Sequence, residues 1–137
     1  MKFYRVPSLM RLLSLIFLLS VVTMSVSCSK DDDDGGSSYP KTVSIRYRIT
    51  LTSGNFTNLA VGYTNETGGT TGVSNQSFPF TVAFDRTVNR YDNASMGVSC
   101  SGNGTLKMEI LVNDRVVESQ SFTEDAFLTA SIVHLFE

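Results

Sequence analysis

An all-β, Ig-like antiparallel sandwich of about seven or eight short strands is what this sequence predicts for residues 39–137. Three observations carry that expectation. Apolar and polar residues alternate with period two from Lys41 onward, turn residues punctuate the alternation at short intervals, and no window has helical spacing. The 137 residues make one such domain with a leader in front of it.

In order, Val43, Ile45, Tyr47, Ile49 and Leu51 alternate with polar partners and form the first strand, which Ser53-Gly54-Asn55 is expected to turn. Leu59, Val61 and Tyr63 mark a second strand, ended by a loop over residues 65–69, and residues 70–74 form a short third one. Phe78, Phe80, Val82 and Phe84 share one phase around Pro79. Proline cannot donate to a ladder, so this strand lies at an edge or begins there. A polar connection over residues 85–92 leads to Ala94, Met96, Val98 and Cys100, and residues 101–104 turn the chain again. Leu106, Met108, Ile110 and Val112 face inward, and Asn113-Asp114 sits where a two-residue hairpin turn belongs. Residues 115–121 return and 126–136 close the domain. The core is expected to contain Ile45, Tyr47, Ile49, Val61, Phe80, Val82, Val98, Leu106, Ile110 and Val112.

Charge excludes some functions. Lys and Arg total 11 against 13 Asp and Glu, a near-balance that suggests neither a nucleic-acid binder nor a basic membrane-surface protein. Cys28 and Cys100 are the only cysteines, which rules out a disulfide framework, and the single histidine, His134, rules out a multi-histidine metal site. Cys100 alternates with Met96 and Val98 and reads as a buried, inert thiol. Nothing in the chain places Glu118 beside Glu124 as an acid pair, and Gly68-Gly69 and Gly102-Asn103-Gly104 lack the strand-to-helix context of a phosphate loop. The chain therefore reads as a non-enzyme without a cofactor.

The leader has its own logic. Residues 1–11 carry Lys2, Arg5 and Arg11, and residues 12–26 are an apolar run. That run suits a signal peptide and falls short of the roughly 20 residues of a spanning helix. Cys28 follows the small residues of Ser25-Val26-Ser27. Residues 1–27 resemble a bacterial lipoprotein signal, in which the following cysteine is freed and lipid-modified. The position three before Cys28, aliphatic in that signal, is Ser25 here, and cleavage after Ser27 with Cys28 unlipidated is the rival reading. Lys30, Asp31, Asp32, Asp33 and Asp34 resemble the export signal of Bacteroidetes lipoproteins, which implies the outer face of the outer membrane. Residues 28–38 then form an acidic, Gly/Ser-ended tether with too little apolar surface to repay ordering.

Four pieces of the domain resemble the soluble domain of the MmpS family, accessory proteins of MmpL transporters. They are Lys41 to Tyr47, Leu59 to Asn65, Phe78-Pro79-Phe80 and Met108 to Val117, and their order and spacing span nearly all of residues 41–135. The resemblance implies a β-sandwich held outside a membrane. It places Met108 and Ser131 where the family has a bridged cysteine pair, so the two are expected to face each other. Ser131 inward puts Phe127, Val133 and Leu135 in the core. Leu128, Ile132, His134 and Phe136 then lie on the outer face, either covered by a loop such as residues 85–92 or open to an unknown protein or small ligand. The expected function is a lipid-anchored binding or accessory module, possible in envelope transport, with a structural or adhesin-like surface subunit as the alternative.

Overall fold

The computed structural model describes residues 38–137; Cys28 and the Lys30–Asp34 run lie outside the described residues. Six strands follow one another: β1 (Lys41–Thr64), β2 (Thr70–Gln76), β3 (Phe80–Val88), β4 (Asn93–Val112), β5 (Arg115–Glu124) and β6 (Phe127–Leu135). All belong to one antiparallel sheet. β1 and β4 run side by side through its middle, paired from Ile45↔Val112 to Tyr63↔Met96. β1 carries β3 along its first half and β2 along its second. β4 carries β6 along its first half and β5 along its second.

This long sheet is folded in half. Tyr47 and Tyr63 belong to the same strand and would stand about 50 Å apart along a straight one, at about 3.3 Å per residue. Their ring centroids are 5.6 Å apart. The fold-back makes two four-stranded layers, β3-β1-β4-β5 over β2-β1-β4-β6, with the core between them. The result is the sandwich-like, all-β architecture expected from the alternation.

The crease explains why six strands replace the expected seven or eight. Ser53-Gly54-Asn55 and residues 101–104 do not end strands; they are bends inside β1 and β4, and the ladder between the two continues through them. Gly54 and Gly104 face each other across it with φ of 79° and 146°, backbone conformations that favour glycine. A Cβ on Gly54 would meet the Asn103 carbonyl oxygen at 2.2 Å, and one on Gly104 the Ser53 carbonyl oxygen at the same distance. The connection expected over residues 85–92 is also shorter, because β3 pairs with β1 as far as Val88↔Lys41.

Inward positions match the alternation. Ile45, Tyr47, Ile49, Val61, Phe80, Val98, Leu106 and Ile110 are buried, while Val82 and Val112 are half-buried at the margin. Tyr47 is the centrepiece. Its Oη donates to the Thr64 carbonyl over 3.0 Å, joining the two halves of β1. Burial pushes its phenol up to about 12, against smaller opposing effects of Thr64 and Arg86, so it stays a neutral donor. Asn113 and Asp114 have φ of 49° and 63°, the pair of left-handed residues that a tight hairpin of this hand requires. Three of the five connections, over residues 65–69, 89–92 and 113–114, lie at the open pole, away from the crease. There buried Arg86 donates to the Asn93 carbonyl over 2.8 Å and lies 3.4 Å from Asp92 Oδ2, fastening β3 to the start of β4.

Candidate functional site: an uncharged trough on one layer

The two outer faces of the sandwich are chemically unlike. On the β3-β1-β4-β5 layer, outward positions of β1 and β4 carry charge. Arg48 Nε lies 2.7 Å from Glu109 Oε2, Lys107 Nζ lies 2.8 Å from Glu109 Oε1, and Arg46 reaches Asp114 at 3.0 Å. Burial pushes the Glu109 carboxyl up, but hydrogen bonds and charges from Lys107 and Arg48 outweigh it and leave the group below its ordinary 4.5. A depressed carboxylate contributes stability above its unfolded pKa, and that contribution disappears as pH falls through the lower folded value. Acidification from pH 5 toward and below 4.5 is therefore expected to lower the melting temperature of the native chain more than that of Glu109→Gln; parallel curves would show that the triad contributes nothing.

The opposite layer carries no charge at all over its strand segments 56–64, 70–76, 94–101 and 127–133. Gly72, Gly62 and Gly97 are cross-strand neighbours, and Ser131 continues the row on β6. Ala60, Ser99 and Thr129 make the next row. Together these rows floor a shallow trough of about 770 Å³, open to solvent, with Ser74 and Val73 on its β2 side. None of the three glycines has a positive φ. A Cβ at Gly62 or Gly72 would meet nothing within 4 Å, and one at Gly97 would first meet the Ala130 carbonyl at 3.6 Å, an ordinary contact. The backbone does not require glycine at these positions, and glycine weakens a strand interior. What the residues provide is bare, level backbone with serine and threonine hydroxyls around it.

The site expected on the last strand is in the opposite phase. Leu128, Ile132 and Phe136 are buried, at 1 %, 4 % and 2 % exposure, whereas Phe127, Val133 and Leu135 are exposed at 59 %, 57 % and 46 %. The cause is register. β6 sets Leu128 opposite Cys100 and Ile132 opposite Met96, and directly opposed residues share a face, so all four point into the core. His134 is half-buried at the open pole, its ring 5.0 Å from that of Phe136 and edge-on to it. Burial draws its pKa down from the ordinary 6.5, opposed by Glu118 and Glu137 and helped by Lys41. Acidic substitutions at Leu128 or Ile132 would thus strike the core rather than a docking face. Ser131 and Met108 are not brought into opposition either: Ser131 faces outward beside Gly97, and fully buried Met108 is flanked by Ile49 and Gln120. The bridge position implied by the resemblance does not exist in this register.

Cys100 is buried, and burial pushes its thiol pKa up, away from the reactive thiolate. Among the described residues, no three His, Cys, Asp or Glu side chains converge as metal ligands would. Comparison with protein-family models found no match, and neither did comparison with curated proteins. The trough escaped the sequence reading because its signal is spread over four strands. Isolated glycines at 62, 72 and 97 become a row only once the register is known.

Proposed function

We propose that this chain is an extracytoplasmic lipoprotein, anchored by acyl chains on Cys28 and sorted by Lys30 to Asp34, whose domain is a non-catalytic binding module. Its ligand sits in the trough of the β2-β1-β4-β6 layer. The single observation behind this reading is a concave face with no charged side chain, set against an opposite face rich in ion pairs. Such a surface has no partner for a phosphate, carboxylate or ammonium group. It suits a neutral, hydroxyl-bearing ligand laid flat on the sheet, where Ser and Thr hydroxyls supply hydrogen bonds. Neutral saccharide is the ligand class that fits best. The resemblance to the MmpS domain supports an accessory role beside a membrane, and the lipid anchor would hold the trough there.

Two measurements test this. The mature chain is expected to begin at an acylated Cys28, and Cys28→Ala to release it from membranes; mass spectrometry of an unmodified N-terminus overturns the anchor. Retention on neutral rather than acidic oligosaccharides is expected. Gly62→Leu, at a position with space for a side chain, should weaken it roughly tenfold or more, about 1.4 kcal/mol. Preference for acidic sugars, or retention unchanged by Gly62→Leu, removes the trough as the site.

A further inference from the structure

Four strands of the folded sheet, β2, β3, β5 and β6, pair with a neighbour on one side only, and three of them carry features that discourage pairing with another chain. Natural edge strands are protected by charge, proline, bulges or short length. β2 is short, has a register shift opposite Leu59 and Val61, and contains Asn75 at φ 56°. β3 starts after Pro79 and carries Asp85 and Arg86. β5 has a register shift opposite Ile110 and Leu111 and carries Arg115, Glu118 and Glu124. β6 has none of these. Its nine residues pair with β4 from Phe127 to Leu135 without a shift and include neither proline nor a carboxylate, Lys or Arg.

The backbone direction of β6 is settled at both ends. Gly102 N donates to the Ala126 carbonyl over 2.7 Å, and Phe136 N donates to the Asp92 carbonyl over 2.9 Å. Even-numbered residues therefore turn their N–H and C=O groups toward β4. The groups of Phe127, Thr129, Ser131, Val133 and Leu135 turn away from it. The side chains of these same residues stand on the outer face, and three of them are among the most exposed large hydrophobics of the described domain.

We propose that β6 pairs antiparallel with β6 of a second copy of this chain, about a two-fold axis through Ser131. Ser131 is the midpoint of residues 127–135, so this axis alone brings all nine residues of both strands into register. Ser131 meets its own equivalent, Thr129 meets Val133 of the other copy, and Phe127 meets Leu135 at each end. Every outward N–H and C=O between those ends gains a partner, no like charges oppose each other, and Phe127 and Leu135 cover one another. An isologous strand pair of this kind joins two four-stranded layers into one of eight and sets two troughs on a continuous face. The pairing does not depend on what the trough binds.

The test uses the full-length chain in detergent, examined by sedimentation and by cross-linking. The native chain is expected to sediment as a dimer. Ser131→Cys, oxidised with diamide, should link two copies, because hydrogen-bonded opposed residues lie about 5.5 Å apart between Cα atoms, within disulfide reach. Thr129→Cys should not link, since its equivalent in the other copy is four positions away. Phe127→Lys combined with Leu135→Lys places like charges in opposition at both ends and should raise the dimer dissociation constant roughly tenfold or more. Phe127→Lys combined with Leu135→Glu should restore the dimer. A monomeric native chain, equal linking through Thr129→Cys, or a dimer indifferent to both charge pairs would each overturn the proposal. Neither Phe127 nor Leu135 lines the trough, so oligosaccharide retention by the lysine pair variant reports on the ligand site separately.

Discussion

Gly104→Ala is expected to remove a large part of the domain's stability. The new Cβ would lie 2.2 Å from the Ser53 carbonyl oxygen and 2.9 Å from the Gly54 Cα. Both are backbone atoms of the facing strand, so no side chain can rotate away to relieve the contact. The residue also sits at φ 146°, where an L side chain is strained. Strained backbone alone costs about 1–3 kcal/mol, and overpacking adds a similar amount. The total, about 3 kcal/mol or more, is a large share of the 5–15 kcal/mol typical of a domain. The displacement would be felt on both layers, because the crease is where β1 and β4 change layer together. Gly62→Ala is the matched control: it adds the same methyl to a glycine of β1, the strand paired with β4, with nothing within 4 Å and an ordinary φ. It should leave the denaturation midpoint unchanged or slightly raised. Equal effects of the two variants in a urea titration would show that the crease does not depend on its glycines.

Ile110→Ala should cost nearly as much by another route. Ile110 is fully buried near the C-terminal end of β4, opposite Tyr47 on one side and Glu118 on the other. Removing its side chain loses the transfer free energy of the deleted carbons and leaves a cavity beside Tyr47, whose ring cannot collapse into it without giving up the bond to Thr64. The expected loss is about 2–4 kcal/mol. Val82→Ala, at a half-buried position in β3, deletes fewer atoms where solvent can follow, and should cost about 1 kcal/mol or less. A chemical denaturation curve in which Ile110→Ala moved the midpoint no further than Val82→Ala would contradict the packing.

Fold class was legible because a half-buried strand writes its two faces into alternate residues, and Val43 to Ile49 or Val98 to Cys100 can hardly be read otherwise. Strand boundaries were less legible. Gly54 and Gly102-Asn103-Gly104 look like reversal points in isolation, and only the facing chain makes them bends in continuous strands. The last strand failed for a related reason: Phe127 to Phe136 is apolar in both phases, so its inside was decided by pairing with Met96 and Cys100 rather than by its own pattern. The trough was illegible along the chain because its floor is perpendicular to the chain. Its ingredients, three glycines and an absence of charge, are unremarkable in each strand separately.

A sheet creased in this way has no half that can live alone. β1 and β4 each contribute to both layers, and the phenol of Tyr47 bonds one half of β1 to the other. Opening either layer exposes the inner face of its counterpart and loosens strands that the counterpart needs. Partial unfolding, which in many domains frees one sub-structure while another persists, has no natural seam to follow here. Loss of structure is thus an all-or-none event, and heat and denaturant should meet a single transition whichever spectroscopic probe records it.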